Sequence, residues 1–315
     1  MSTATQPLQE AGKSAAAASR SLSFTDYCEL IKLRVTSLIV MTAWTGLYFA
    51  AQKSGVSSLS WTLLHALLGI GLVSGGTAAL NEVMEREADA LMRRTAHRPL
   101  PSGRMGMLRA TLIASTMVLG GAGYLALTTN VLTGVLALLT AAVYLGVYTP
   151  LKKVSPICTF VGAFPGAMPP VLGWTAIRGG FDWEALVLFA IVFFWQFPHF
   201  LSIAWLYRED YERAQIRMRP VVESNGVQTG REIVAYSVAL IPVSMAPSLM
   251  GMSGGVYLIG ALVMSLALFW FGLRLATLQR PVAAPQSKLR ARQLLQATVF
   301  YLPLLFALMM INLAR

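Results

Sequence analysis

The chain has 315 residues, of which 56% are hydrophobic and only 12% charged. An average soluble domain carries roughly 25% charged residues, so this composition excludes a disordered chain, a coiled coil and an ordinary soluble enzyme. The net charge of +11 is not a nucleic-acid signature, because the Lys and Arg residues sit scattered at the ends of apolar blocks, where they report membrane topology.

Residues 1–20 are rich in Ala, Ser, Thr and Gln, and predict a disordered tail without the apolar region of a signal peptide. Residues 21–35 set Asp26, Glu29, Lys32 and Arg34 among apolar residues, which reads as an amphipathic helix at the membrane surface. Residues 36–315 form a single domain of nine apolar blocks, each long enough to cross a bilayer. Hydropathy places them at about 36–52, 61–84, 107–128, 131–148, 157–177, 184–206, 231–251, 255–277 and 293–313. The expected fold is an all-α polytopic membrane protein. All 25 basic residues except Lys53, Arg178 and Arg315 fall on one side of this arrangement. The positive-inside rule then puts the N-terminus in the cytoplasm and the C-terminus, after an odd number of spans, on the far side. Cys28 and Cys158 lie in no C-x-x-C pair, and imply neither a disulfide framework nor a Cys-based metal site.

The acids cluster on the basic side as well. In N-E-V-M-E-R-E-A-D (residues 81–89), Asn81, Glu85 and Asp89 recur every four residues and drift only about 40° per step on a helix, so they form one stripe. An amide and two carboxylates offer oxygen ligands, which suit Mg²⁺, an ion that keeps several waters and shares its other positions with substrate phosphates. Arg93, Arg94, Arg98 and Arg104 follow closely. Carboxylates that hold a cation beside arginines that hold phosphate make a diphosphate site. The plainer reading is a solvated helix end with the i,i+4 pairs Glu82–Arg86 and Asp89–Arg93. A second cluster, Y-R-E-D-Y-E-R (residues 207–213), again sets acids beside arginines. Glu209 and Asp210 are adjacent, so they point about 100° apart on a helix and one of the two faces the site. Asp210 is the first candidate and Glu209 the second.

Between the clusters, Y-T-P-L-K-K (residues 148–153) places Lys152 to meet a phosphate and Tyr148 to present its ring face to a cation. Three prolines and three glycines in V-G-A-F-P-G-A-M-P-P-V-L-G-W (residues 161–174) predict a helix that is broken or loosened beside a cavity. In W-Q-F-P-H-F (residues 195–200) the aromatics form either an interfacial belt or the wall of an apolar pocket. His199 at membrane depth must find a partner. Three uses fit it: a contact to a bound substrate, a base for a water, or a hydrogen bond to a neighbouring helix.

The run from Asn81 to Thr95, continued by R-P-L-P-S-G (Arg98 to Gly103), resembles the first signature of the UbiA-type intramembrane prenyltransferases. K-L-R-V-T (residues 32–36), Y-T-P-L-K-K, G-A-x-P-P-x-x-G-W, W-Q-F-P-H-F and Y-R-E-D-Y-E-R-A look like the protohaem IX farnesyltransferase (haem O synthase) branch, and the likeness covers about residues 25–310. Two positions depart from the pattern: Gln215 stands where Gly is common, and His97 where Asn is common.

The resemblance implies nine helices around a cytoplasm-facing cavity open to lipid, in a bacterial cytoplasmic (inner) membrane. It implies Mg²⁺, with Mn²⁺ as an alternative, held by Asn81, Glu85, Asp89 and Asp210, with Glu209 beside them. Arg93, Arg98 and Lys152 would take the diphosphate of farnesyl diphosphate, with Tyr148, His199 and Arg34 as further substrate contacts. Haem b enters as acceptor substrate, not as a resident cofactor, and the product serves terminal oxidase assembly. Haem A synthase or oxidase assembly proteins would be partners.

Three other readings compete. A prenyltransferase acting on an aromatic quinone precursor shares the first signature. A secondary transporter also uses broken helices, but its acids would sit at the midplane. A haem carrier would need more than His65, His97 and His199, which form no axial pair at matching depth.

Overall fold

The computed structural model describes residues 22–57, 60–278 and 281–314. The tail expected at residues 1–20, and the basic residues Lys13, Arg20, Arg280 and Arg315 used for topology, lie outside the described residues. Among those described, nine helices are long and apolar enough to cross a membrane. They follow a short α1 (Phe24–Leu30) and comprise α2 (Leu33–Ser54), α3 (Trp61–Leu91), α4 (Met107–Thr128), α5 (Val131–Leu151), α6 (Cys158–Arg178) and α7 (Trp183–Leu206), then α10 (Val227–Leu249), α11 (Gly255–Ala276) and α12 (Pro285–Ile311). Two short helices, α8 (Arg208–Arg213) and α9 (Arg219–Val222), bridge α7 and α10.

The protein is a multi-pass all-helical membrane protein. Consecutive spans pack side by side, and the first and fifth, α2 and α6, pack on each other between the two halves. One core joins α2 to α5 with Leu172 of α6, and a second joins α6, α7 and α10 to α12. The outward surface is apolar, with Leu112, Leu119, Leu127, Ile259 and Trp270 exposed, as lipid as the surrounding solvent requires.

Several boundaries differ from the hydropathy reading, for physical reasons. Helix α3 runs on to Leu91 because Glu82, Glu85 and Asp89 find partners on neighbouring segments instead of ending the helix. Helix α12 starts at Pro285, with Lys288, Arg290 and Arg292 on a helical extension ahead of its apolar stretch. The amphipathic lead-in is only seven residues, α1, capped by Ser23 and Asp26 in a reciprocal capping box. Helix α6 does not break: Pro165, Pro169 and Pro170 all lie inside one continuous helix. Its glycines serve close packing instead. A Cβ on Gly173 would land on the Ala43 carbonyl, and one on Gly46 of α2 would land on the Pro170 carbonyl. Small residues that let two backbones approach are a usual device of membrane helix pairs.

The far ends of the helices are tied by charge. Asp182 accepts from Trp174 Nε1 and Arg178 Nε, each at 3.0 Å, and Lys53 Nζ reaches Glu184 at 2.6 Å. This knot joins α2, α6 and α7 opposite the Arg-rich face.

Candidate active site

The extension of α3 to Leu91 carries Asn81, Glu85 and Asp89 on one helical face, and each of the three meets a cation from a different segment. Lys32 Nζ donates to Asn81 Oδ1 at 2.9 Å. Lys152 Nζ donates to both Glu85 oxygens, at 2.9 and 3.0 Å. Arg98 Nη1 donates to Asp89 Oδ2 at 2.8 Å. The Asn81 amide also donates to Thr149 Oγ1 at 3.2 Å. Asn81 and Asp89 are buried, and the Glu85 and Lys152 side chains nearly so. Neither expected surface pair forms, since Arg86 turns to Glu87 at 2.7 Å and Asp89 takes Arg98.

Local backbone irregularities set up these meetings. Helix α5 passes through a π-helical turn at Tyr144–Tyr148, a widening that recurs at functional sites. Tyr148, Thr149 and Lys152 follow from it, with Lys152 Nζ 4.6 Å from the centre of the Tyr148 ring. Gly162 on α6 leaves room for that ring, because a Cβ there would lie 2.5 Å from it. Lys32 sits in the left-handed region (φ 49°) at the joint between α1 and α2, a conformation that costs about 1 kcal/mol for a residue with a Cβ. Arg104 steadies the same joint. It donates to Asp26 at 2.5 Å, to Glu29 at 3.0 Å and to the His97 carbonyl at 2.6 Å, binding α1 to the loop that presents Arg98.

The electrostatics are those of a site built to receive an anion. Burial pushes the Lys32 ammonium down to about 8, and the neighbouring charges of Arg98 and Lys152 add to that effect. Burial works against the Lys152 ammonium too, but the Tyr148 oxygen and the Glu85 carboxylate beside it hold it above its ordinary value. Three cations crowded together are relieved by a polyanion. The oxygens of Asn81, Glu85 and Asp89 fit a hard divalent ion. Among the described residues no three His, Cys, Asp or Glu side chains could hold a metal by themselves. A site with two carboxylates and an amide leaves positions for water and phosphate oxygens, which is how Mg²⁺ is usually bound.

Two members of this cluster escaped the sequence reading. Lys32 stood there only as a topological charge and the first letter of K-L-R-V-T. Glu82 was read as a partner of Arg86, yet it is fully buried, accepts from the Leu100 amide at 3.4 Å and keeps Oε2 without a hydrogen bond. Its position on the helix could have flagged it, because it lies only about 20° around the axis from Asp89.

The second cluster docks on the end of α3. Asp210 is buried and pairs with Arg213, whose Nε donates to the Leu91 carbonyl at 3.2 Å. Arg94 lies over the rings of Tyr207 and Tyr211, 5.4 and 5.8 Å from their centres. Glu209 points away to Lys288 at 2.7 Å, which holds its carboxyl below the ordinary range. Arg34 and Arg93 are exposed and join none of these contacts. His199 lies apart, between α7 and α12, with Nδ1 2.9 Å from Thr298 Oγ1. The structure thus brings together Asn81, Glu85, Asp89, Arg98, Lys152 and Tyr148, ties Asp210 to the end of α3 through Arg213, and leaves Arg34, Arg93, Glu209 and His199 outside that group.

Comparison with known proteins identifies the family. Residues 39–311 match the UbiA prenyltransferase family. A protoheme IX farnesyltransferase of Koribacter versatilis is 60% identical over 312 residues, 99% of each chain. A digeranylgeranylglyceryl phosphate synthase structure superimposes with a TM-score of 0.73 at 16% identity, covering 91% of this chain and 97% of that one. A UbiA homologue of Archaeoglobus fulgidus, solved with GPP and Mg²⁺, gives 0.58 at 16% identity, covering 90% and 99%. The two structural likenesses bear on the fold alone, whereas the sequence match fixes the family. The chain is a prenyltransferase that belongs to the UbiA family and, within it, to the branch of the protohaem IX farnesyltransferases.

Proposed function

We propose that the protein transfers the farnesyl group of farnesyl diphosphate to a vinyl group of haem b, and that water addition completes a hydroxyethylfarnesyl side chain, giving haem O. The observation that carries this reading is the convergence of Lys32, Lys152 and Arg98 on the Asn81–Glu85–Asp89 stripe. These cations receive the diphosphate and stay with it as its bond to the farnesyl C1 breaks. The electron pair leaves on the diphosphate oxygen, and charge that develops there is met by donors already in place. A divalent ion, Mg²⁺ or Mn²⁺, would be held by the stripe and by Asp210, and would supply further neutralisation of the leaving group. The allylic cation left behind is attacked by the vinyl carbon, and the cation that results beside the porphyrin takes water and loses a proton. Burial of Asn81, Glu82 and Asp89 keeps bulk water from the first of these cations.

The acceptor rests on the branch to which the chain belongs. The basic face around Arg98 and Lys152 is read as cytoplasmic, with the N-terminus on that side and the C-terminus on the periplasmic side of a bacterial inner membrane, on the strength of the positive-inside bias. Haem A synthase or oxidase assembly proteins are natural recipients of the product.

Purified protein incubated with farnesyl diphosphate, Mg²⁺ and either haem b or 4-hydroxybenzoate, followed by mass analysis, tests the reading. Haem b should gain one farnesyl group and one water, and omission of the divalent ion should stop the gain. Prenylation of 4-hydroxybenzoate with haem b untouched would overturn the acceptor assignment.

A further inference from the structure

His199 has one nitrogen committed and one free. Its Nδ1 lies 2.9 Å from Thr298 Oγ1, and that hydroxyl donates its own proton to the Leu295 carbonyl at 2.6 Å. With the hydroxyl proton used, the proton between the two side chains must be the imidazole's. His199 is therefore the Nδ1–H tautomer, and Nε2 carries a lone pair. No partner on the chain meets Nε2 among the described residues, and the ring is only half-buried.

The ring is also held in orientation. Trp195, one turn earlier on α7, stacks on it at 4.7 Å with planes 19° apart, and Trp195 Nε1 donates to the Thr298 carbonyl at 2.8 Å. Phe200 meets it edge-on at 5.4 Å. Phe200 in turn packs into the cluster that contains Ala88, Cys158 and Tyr148, next to the cationic group. A packing histidine would need neither a fixed plane nor an open lone pair in a membrane, where an unmet polar nitrogen is costly. An imidazole with one nitrogen donating and the other bare has the arrangement of a metal ligand.

We infer that His199 Nε2 is the single axial ligand to the iron of the haem b substrate, with Thr298 and Trp195 as positioning residues that fix its tautomer and plane. This rests on haem b as acceptor. His65 pairs with Tyr124 and His97 lies on the exposed α4-side loop, so neither offers a second ligand at this depth. His199 would then supply one axial bond to the haem, which a product can leave.

The test titrates the full-length protein in detergent with haem b, following the Soret band, and with iron-free protoporphyrin IX, following fluorescence. His199→Ala should weaken haem b binding at least about tenfold and remove the ligation-dependent Soret shift. Protoporphyrin IX and farnesyl diphosphate binding should stay within twofold, and added imidazole should restore the shift. Thr298→Val, which keeps Nε2 but frees the tautomer, should weaken haem b binding several-fold with the Soret position unchanged. An unchanged Soret response in His199→Ala, or equal loss of haem b and protoporphyrin IX, overturns the ligand assignment while prenylation of haem b still stands. Wild-type protein that neither binds nor prenylates haem b overturns the acceptor reading, and the ligand assignment with it.

Discussion

Lys32 and Asn81 stand 49 positions apart in the chain, and Lys32 Nζ donates to Asn81 Oδ1 at 2.9 Å. The bond joins the α1–α2 joint to the acidic stripe of α3. It is made from a left-handed backbone at Lys32 (φ 49°), which points to a position held by its surroundings and not by local preference. Lys32→Met keeps a side chain of similar length and the same backbone demand, and removes only the charge. A hydrogen bond to a charged group is worth about 1.5–3 kcal/mol, so farnesyl diphosphate affinity should fall by at least tenfold. Arg34→Met, at an exposed position two residues on, should change affinity less than twofold. Isothermal titration in detergent checks both, and a larger effect at Arg34 would move the diphosphate away from this joint.

Much of this arrangement was legible in the sequence, and the remainder was hidden for identifiable reasons. Nine apolar blocks announce nine spans, because a bilayer demands about 20 apolar residues each time. Asn81, Glu85 and Asp89 announce a stripe, because helical periodicity does not depend on tertiary contacts. Lys32 was hidden because its partner comes from a different helix, and because Arg34 next to it carries the same charge. The π-helical turn at Tyr144–Tyr148 leaves hydropathy unchanged, so nothing in composition reveals it. The prolines of α6 read as a break, but a protein-buried membrane helix tolerates them where neighbours such as α2 press close.

The second acidic cluster makes a sharper prediction now than its sequence allowed. Asp210 is buried and bonded to Arg213, which also grips the end of α3, whereas the Glu209 side chain is 61% exposed and reaches out to Lys288. Asp210→Asn should lower turnover by at least tenfold, and Glu209→Gln by less than twofold. Measuring kcat at saturating Mg²⁺ separates them. Equal, small losses would reduce the whole segment to a topological charge cluster.

Helix α8 ends in a Schellman motif. The Ile216 amide donates to the Tyr211 carbonyl at 2.9 Å, and the Gln215 amide to the Glu212 carbonyl at 3.0 Å. That motif asks for a left-handed residue at Gln215, whose φ is 56°. Glycine would meet the demand without a Cβ. Gln215→Gly should leave activity unchanged and raise stability by up to about 1 kcal/mol, read as a higher Tm. A lower Tm would mean that the Gln215 side chain contributes more than its backbone strain removes.

The outer knot gives a pH dependence whose sign follows from Asp182. Burial acts to raise its carboxyl, but hydrogen bonds from Trp174 and Arg178 and the charge of Lys53 outweigh it and hold the group below its ordinary value. A carboxylate with a depressed folded pKa contributes stability above its unfolded value of about 3.9, and loses it as pH falls through the folded one. The side chain is 26% exposed, so the contribution is that of a near-surface pair, within about 1 kcal/mol. At neutral pH, Asp182→Asn should therefore lower Tm by about 2–4 °C. The gap between variant and wild type should narrow as pH drops below about 4, since protonated Asp182 resembles the amide. Thermal unfolding in detergent across pH 3 to 7 reads the trend. A gap that stays constant to the acid end would show that the bonds from Trp174 and Arg178 hold the α6–α7 corner without the carboxylate charge.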